Sequence, residues 1–222
     1  VTLWYVYGKT PVTEKPTITK EDPRYFYLEY ENDTLTTNPE FYSWTTGFAA
    51  ELKKFESAGA GKWKIKVPVK SSCTKVDFVI ALDSSGKDWV KDGGDHSIAF
   101  PEDQNVVCAN MKQGEEPVLG APYNKGYEVL PKENKIAFYY RDDNALIDDK
   151  LADMKVSVDI NGTECEMTYN AGNKRFEYNY NKLESGRTYY RYKVGDEYIL
   201  DKYNDKQEQK GGNDYSYIEY YK

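Results

Sequence analysis

Apolar and polar side chains alternate, one by one, in several stretches of the chain. Between Lys64 and Lys70 the apolar residues Ile65, Val67 and Val69 occupy every second position, with lysines among the others. Successive side chains of a β-strand point to opposite faces, so this pattern is typical of a half-buried strand rather than a helix. The same alternation recurs in residues 76–82, 156–160, 176–180 and 190–194.

Turn-forming residues separate the alternating stretches. Asn161-Gly162, directly after one of them, is a strong β-hairpin signal. Clusters rich in Gly, Ser, Asn and Asp also lie at 84–86, 92–94, 170–173, 185–186 and 195–196. This spacing is close to the roughly 8 to 12 residues between turns of a β-sandwich. We therefore predict an all-β fold.

Two stretches favour brief helices on this β scaffold. Phe48, Leu52 and Phe55 have the i, i+4, i+7 spacing of one helical face. Asn144 is a suitable N-cap for a second short helix through residues 145–154.

A proline- and glycine-rich segment lies near the middle of the chain. Its members are Pro117, Gly120, Pro122 and Gly126. Such residues exclude a long central strand, and 222 residues are enough for two domains of about 100 residues each. We predict two antiparallel, immunoglobulin-like β-sandwich domains in tandem, at residues 19–118 and 127–222.

The role of residues 1–18 is open. Gly8-Lys-Thr-Pro-Val12 and Gly114-Glu-Glu-Pro-Val118 share a Gly-x-x-Pro-Val pattern. If the pattern is an internal repeat, residues 1–18 end a preceding module of a tandem array. The alternative is that they form the first strand of the first domain.

The composition restricts the possible partners. Tyrosine fills 22 positions, and its apolar ring with a polar hydroxyl suits half-buried strands and wet binding faces. The 30 basic and 37 acidic side chains give a net charge of -7 without a basic stripe, so a neutral polymer fits better than nucleic acid. No run approaches the roughly 20 apolar residues of a membrane span, and we expect a soluble excerpt without membrane insertion.

The sequence shows no motif for a cofactor, a metal or catalysis. Cys73, Cys108 and Cys165 lack metal-ligand spacing, and small buried thiols explain them better than a bridge between Cys73 and Cys108. The sole histidine, His96, has no partner in a recognised motif. Acidic residues at 142, 143, 148 and 149 lack the glycine and alternate spacing of a calcium loop. No pair of carboxylates is marked as catalytic, so we expect neither cofactor nor catalytic residue.

The most informative segment runs from an apolar strand at Phe78 into a loop. The loop carries Trp89, Lys91, Asp92 and Asp95. Upstream, Tyr42 and Trp44 would project from one strand face about 6.6 Å apart. A pyranose offers C–H groups that pack on aromatic rings and hydroxyls that donate and accept hydrogen bonds, so these residue types together indicate a sugar site.

Each candidate also has an ordinary structural interpretation. Trp44 could lie in the core, although loop-edge residues flank it; Trp89 could anchor its own turn. Lys91 and Asp95 could form a solvated ion pair. Trp63 precedes a clean alternating strand, and we expect it in the core.

The order of several motifs resembles the carbohydrate-binding modules of family 41. These motifs are Tyr25-Phe-Tyr-Leu-Glu-Tyr30, Tyr42-x-Trp44, Lys75-Val-Asp-Phe-Val-Ile-Ala-Leu82 and Trp89-Val-Lys-Asp-x-x-Asp95. The resemblance covers about residues 20–118 and implies a β-sandwich that binds α-glucans through Tyr42, Trp44, Lys91 and Asp95. The chain departs from the family in having Tyr42 where Trp is usual and in lacking the Trp-rich run before the pair.

The second half resembles, more generically, the immunoglobulin-like modules of the same enzymes. The resemblance covers about residues 150–205, where a Tyr-rich strand is followed by a turn and Asp201-x-Tyr203. Stacking there would depend on tyrosines such as Tyr139, Tyr140, Tyr190 or Tyr203. The alternative is that these tyrosines fill the core and its edges.

The resemblance implies a non-catalytic region of a larger bacterial pullulanase or amylase of glycoside hydrolase family 13. Such a region would bind starch, glycogen or pullulan, outside the cell or at its surface, beside a tethered catalytic domain. Two alternatives are a β-sandwich adhesin or spacer without a sugar ligand, and a small glycosidase.

Overall fold

The computed structural model describes residues 21, 23–86 and 88–221, and these residues are almost entirely β-structure. The first half contains β1 (Arg24–Glu31), β2 (Glu40–Ser43), β3 (Lys53–Lys54), β4 (Glu56–Gly59), β5 (Lys62–Val69), β6 (Lys75–Asp83), β7 (Val90–Lys91), β8 (His96–Ala99), β9 (Val106–Lys112) and β10 (Val118–Leu119). Both predictions made for residues 1–18 lie outside the described residues.

The second half continues with ten more strands and brief helical turns. The strands are β11 (Tyr127–Leu130), β12 (Lys135–Tyr140), β13 (Val156–Ile160), β14 (Thr163–Glu166), β15 (Thr168–Asn170), β16 (Arg175–Tyr180), β17 (Gly186–Val194), β18 (Glu197–Ile199), β19 (Gln207–Lys210) and β20 (Asn213–Tyr220). Helix α1 spans Asp143–Ile147, and 3₁₀ turns span Pro131–Glu133 and Leu151–Asp153.

The strands form four sheets, two from each half of the chain. The first half forms the sheets β10-β9-β1-β5-β4 and β3-β2-β6-β7, with β8 also paired to β6. The second half forms β11-β12-β16-β15 and β14-β13-β17-β20-β19, with β18 also paired to β17. The strands pair antiparallel except β1 with β9, which run parallel. The predicted all-β class is confirmed, whereas the domain limits stay a prediction.

The alternating stretches point their apolar side chains into the core, as predicted. Ile65, Val67 and Val69 of β5 are at most 5% exposed. They pack with Phe78 and other residues of β6 in one cluster that joins the two sheets of the first half. Trp63, the second residue of β5, also belongs to this cluster, as expected from the sequence.

The sheet β10-β9-β1-β5-β4 is covered on both faces. Phe26 and Leu28 of β1 face the core of the first half, whereas Tyr27, between them, belongs to the core of the second half. Val106 and Cys108 of β9 also join the second core. One sheet therefore supplies side chains to two hydrophobic cores.

Polar contacts reinforce this junction between the halves. Lys64 and Lys66 both pair with Asp149, at 3.1 and 2.9 Å. Lys174 pairs with Glu29 at 2.6 Å. Cys108 faces the second core while Cys73 packs against the first, and both are free thiols, so the bridge considered between them is absent.

The two helix predictions differ from the structure. Residues 48–55 are not helical. Phe55 N–H donates a hydrogen bond to the Pro39 carbonyl oxygen, and β3 pairs with β2, so the backbone of residues 53–55 is bonded to the preceding strand instead of to a helical turn. The second helix is shorter than predicted and its cap is Asp142, whose side chain accepts a hydrogen bond from Ala145 N–H at 2.9 Å. Asp149 has a φ of 58°, which interrupts helical geometry before the 3₁₀ turn.

A fully buried arginine ties a loop to the start of β1. Arg24 is 0% exposed, and its guanidinium donates to the carbonyl oxygens of Gln104, Cys73 and Pro101. Its Cζ also lies 4.2 Å from the ring centroid of Phe100. Burial lowers the pKa of Arg24, because removal from water disfavours its charged form.

We expect Arg24→Lys to reduce the free energy of unfolding by about 3 kcal/mol, because a lysine ammonium cannot reach all three carbonyls and leaves buried acceptors unpaired. Chemical denaturation measures the change. The exposed Arg187→Lys is the matched control and should cost less than about 1 kcal/mol. Equal losses in the two variants would contradict this role for Arg24.

Candidate functional site

Three aromatic rings cluster on the outer face of the sheet β3-β2-β6-β7. Phe41 and Ser43 are buried, so Tyr42 between them points outward, opposite Val79 of β6. The ring centroids of Tyr42 and Trp44 are 6.3 Å apart, with an interplanar angle of 38°. Trp44 is 45% exposed, which excludes a place for it in the core.

The third ring comes from the turn after β6. Ser85 N–H donates to Asp83 Oδ1 at 2.9 Å, which starts a tight reversal at the end of the strand. The chain returns as β7, and Trp89 packs edge-on against Tyr42 at 5.4 Å and 78°. Trp89 therefore supports Tyr42 and is itself half-buried.

Strand pairing places Lys91 beside this cluster. Lys91 pairs with Ala81, which in turn pairs with Glu40, two residues before Tyr42 on β2. Directly paired residues lie on the same sheet face, so Lys91 occupies the row next to that of Tyr42. Lys91 Nζ lies 3.6 Å from Asp95 Oδ1, and both side chains remain exposed. An exposed pair of this kind stabilises the fold by only about 0 to 1 kcal/mol, so both groups are available for other hydrogen bonds.

Asp92, in the same loop, has a structural role. It is 4% exposed and accepts hydrogen bonds from Tyr30 Oη at 2.8 Å and from Gly114 N–H at 2.9 Å. Burial raises the pKa of Tyr30, which keeps its hydroxyl protonated as a donor. Asp92 thus anchors the loop that presents Lys91 and Asp95.

His96 holds the same loop from the other side. Its ring is 3% exposed, and Nε2 lies 2.9 Å from the carbonyl oxygen of Asp92, so Nε2 donates. Nδ1 lies 3.4 Å from Glu116 Oε2. His96 packs at the core edge, against Phe78 at 5.5 Å, and these contacts give it a structural role.

Three of the four acidic residues considered for calcium, Asp142, Asp143 and Asp149, make structural contacts. Asp142 caps α1, Asp143 pairs with Arg141 at 2.7 Å, and Asp149 pairs with Lys64 and Lys66. Within the ranges that the structure describes, no group of three or more His, Cys, Asp or Glu side chains could hold a metal ion.

The tyrosines predicted for stacking in the second half are largely inaccessible. Tyr139 and Tyr140 are each 9% exposed, and Tyr190 is 0% exposed. Tyr203 is half-buried; its hydroxyl donates to the Tyr123 carbonyl oxygen at 3.1 Å. For these residues the core interpretation is correct.

The cluster of Tyr42, Trp44 and Trp89 beside Lys91 and Asp95 forms a shelf that is open to solvent. Trp44 and Tyr42 can pack against the C–H face of a ring-shaped polyol, and their 38° tilt makes the shelf curved rather than flat. An ammonium donates and a carboxylate accepts, which together suit hydroxyl groups. The five residues named from the sequence therefore lie along one sheet and the loop that extends it.

Among the residues that have described coordinates, no helix has both the length and the apolar character needed to cross a membrane.

Several solved structures are similar to this chain. A product complex of SpuA, a multi-modular glycogen-degrading pneumococcal virulence factor, matches 87% of the chain with 11% identity and a TM-score of 0.35. The CBM25-2 of a β/α-amylase from Paenibacillus polymyxa matches 46% of the chain with 13% identity and a TM-score of 0.30. Pullulanase from Anoxybacillus sp. LM18-11 matches 81% with 10% identity and a TM-score of 0.25.

The chain spans 28% of the length of the pneumococcal protein, 97% of the CBM25-2 and 24% of the pullulanase. No protein-family profile matches the chain, and no curated protein matches it by sequence. Membership of family 41 therefore stays a prediction.

Proposed function

We propose that this chain is a non-catalytic α-glucan-binding region of a larger bacterial amylase or pullulanase, acting outside the cell or at its surface. The observation that carries the proposal is the exposed, tilted pair of Tyr42 and Trp44, braced by Trp89. An indole that is 45% exposed next to a second ring presents a continuous apolar surface that a sugar ring can cover.

In this proposal residues 19–118 form the binding module, similar to family 41, and residues 127–222 form a second immunoglobulin-like module. Trp44 and Tyr42 stack on glucose rings. Lys91 donates to sugar hydroxyls and Asp95 accepts from them. Trp89 fixes the angle of Tyr42. No cofactor, metal or catalytic residue is required.

The expected affinity of this site is modest. Each aromatic contact contributes about 0.5 to 1.5 kcal/mol and each hydrogen bond to a charged group about 1.5 to 3 kcal/mol. The loss of translational and rotational freedom on binding offsets much of this sum. A tether to a catalytic domain would turn weak binding into a high local concentration of starch, glycogen or pullulan near the active site.

We expect Trp44→Ala to weaken binding to soluble starch and pullulan about ten-fold, because it removes the most exposed ring of the aromatic cluster. This corresponds to about 1.4 kcal/mol of binding free energy. Affinity electrophoresis in gels containing either polymer measures the change as lost retardation. Phe48→Ala is the matched control, because it removes a ring that is 40% exposed on the following loop but outside the cluster.

Three outcomes separate the candidate functions. Retardation of the unmodified chain without release of reducing sugar supports the proposal, and release of reducing sugar would instead indicate a glycosidase. Absence of retardation in every polysaccharide gel would indicate an adhesin or spacer. Undiminished retardation of Trp44→Ala would show that the site lies elsewhere.

A further inference from the structure

The outer face of the sheet β14-β13-β17-β20-β19 carries four tyrosines, Tyr189, Tyr198, Tyr215 and Tyr217, which we call the tyrosine face. Thr188 and Tyr190 of β17 are 7% and 0% exposed, so Tyr189 between them points outward. Tyr217 of β20 pairs directly with Tyr189, and Tyr198 of β18 pairs with the outward Lys193. The tyrosines therefore share one side of the sheet.

Cations hold the rings of the tyrosine face in place. Arg191 Cζ lies 3.6 Å from the ring centroid of Tyr198 and 4.5 Å from that of Tyr215. Arg187 Cζ lies 4.5 Å from the ring of Tyr217. Tyr198 nevertheless remains 48% exposed. Rings that are already fixed lose little conformational entropy when a ligand packs on them.

The charges on this face are balanced. The ion pairs are Arg187 with Glu208 at 2.7 Å and with Glu219 at 2.9 Å, Arg191 with Asp159 at 2.9 Å, and Lys193 with Glu164 at 2.8 Å. Each of these three cations has a carboxylate beside it, which reduces the attraction that they offer to a polyanion. A neutral polyol, in contrast, can donate hydrogen bonds to the carboxylates and accept them from the guanidinium groups.

We propose that the tyrosine face is a second binding site, whose ligand is a neutral polysaccharide chain. Tyr198 and Tyr217 pack against the sugar rings, while Arg187 and Glu208 at the exposed edge bind hydroxyls. The identity of the polymer as an α-glucan rests on the proposed function, but the site itself does not. A chain that contacts both sites would bind with an avidity that neither site has alone.

The test weakens the first site through Trp44→Ala, so that the contribution of the tyrosine face to binding can be measured. The Trp44→Ala variant, and the same variant carrying Tyr198→Ala and Tyr217→Ala, are compared by affinity electrophoresis in soluble starch, pullulan, β-glucan and xylan gels. Ile199→Ala is the control, because Ile199 follows Tyr198 on β18 and is 37% exposed but points to the opposite side. A gel with polygalacturonate tests for a preference for polyanions. Thermal unfolding of each variant shows whether its fold is intact.

We expect the Trp44→Ala variant to retain retardation in at least one neutral gel, and the two tyrosine substitutions to reduce it at least ten-fold. Ile199→Ala should leave it unchanged. Unchanged retardation after the tyrosine substitutions, or stronger retardation by polygalacturonate than by every neutral polymer, would overturn the proposal.

The design separates failure at one site from failure at the other. If Trp44→Ala alone abolishes retardation in every gel, the first site stands and the tyrosine face does not. If Trp44→Ala leaves retardation undiminished in every gel and the added tyrosine substitutions abolish it, the tyrosine face stands and the first site does not. If the unmodified chain is not retarded at all, both proposals fall. Tryptophan fluorescence gives an independent readout of the first site, since the four tryptophans are at positions 4, 44, 63 and 89, far in sequence from the tyrosine face.

Discussion

Gly126→Ala is expected to lower the free energy of unfolding by about 3 to 5 kcal/mol. A Cβ atom on residue 126 would lie 2.0 Å from Asp201 Oδ2 and 2.3 Å from its Cγ. Asp201 cannot move away freely, because its carboxylate accepts hydrogen bonds from Tyr190 Oη at 2.6 Å and from Tyr203 N–H at 2.8 Å. Relief of the clash would break one of these buried contacts.

The backbone at Gly126 is also held in place. Its carbonyl oxygen accepts from Tyr192 Oη at 2.6 Å and from Tyr139 N–H at 2.7 Å. A shift of residue 126 would therefore leave buried hydroxyl or amide groups without partners, and each such group costs about 1 to 3 kcal/mol. Neither a movement of Asp201 nor a shift of residue 126 can relieve the clash without the loss of buried hydrogen bonds.

Denaturation with guanidinium chloride measures the effect. Gly94→Ala is the matched control, since a Cβ there meets no atom within 4 Å, and it should change stability by less than about 1 kcal/mol. A double-mutant cycle with Asp201→Ala identifies the cause, because removal of the carboxylate also removes the clash. If the two substitutions destabilise additively, the contact with Asp201 is not the reason for the loss.

Stability is expected to fall steeply above pH 10, by several kcal/mol at pH 11. Burial raises the pKa of Tyr140 to about 12. Burial also raises the pKa of Tyr27, Tyr190 and Tyr192. In the unfolded chain these hydroxyls ionise near pH 10.

Stability falls with rising pH because these tyrosines ionise at a lower pH in the unfolded chain than in the folded protein. The folded pKa lies above the unfolded one, so this contribution to stability is complete below pH 10 and is lost as the pH rises through the folded pKa. At pH 11, each such tyrosine has reduced the free energy of unfolding by about 1.4 kcal/mol, and the contributions of several tyrosines add.

Denaturant midpoints at pH 8, 10 and 11, together with the ultraviolet absorbance of tyrosinate, test this expectation. Tyr140→Phe keeps the ring and removes one ionising group, so it should reduce the loss at pH 11 by about 1.4 kcal/mol. A midpoint that stays constant up to pH 11 would show that the buried hydroxyls do not control alkaline unfolding.

Alternation along a strand predicted which side chains are buried but not what covers them. Ile65, Val67 and Val69 are inward as expected. Tyr27 and Cys108, however, occupy the other face of their strands, and the sequence contains no local sign that a second core lies over that face. The parallel pairing of β1 with β9 cannot be predicted from local sequence either, because it joins segments about eighty residues apart in the chain.

The candidate site was predictable where one strand or one loop determines it. The spacing of Tyr42 and Trp44 predicts two rings about 6.6 Å apart, and their centroids are 6.3 Å apart. Asp92 and Asp95 look equivalent in the sequence, and only the buried contact with Tyr30 distinguishes the structural residue from the exposed one. That contact joins β1 to the loop after β7, which is distant in sequence, and leaves no local signature.

The tyrosine face was missed, although a signal for it exists. On β17 the charged residues Arg187, Arg191 and Lys193 mark the solvent side by their parity. Tyr189 shares that parity, whereas Tyr190, one of the four tyrosines considered for stacking, has the opposite one. In such a strand, the tyrosines that share the parity of the charged residues are expected to face solvent, and the other tyrosines are expected to face the core.

The side chains that β1 and β9 contribute to the second core affect how the two halves of the chain can be inherited. We expect neither half to fold stably by itself in another protein. Separation of the halves would expose Tyr27 and Cys108 on one piece and the apolar surface that they cover on the other. We therefore expect recombination between genes to transfer both halves together.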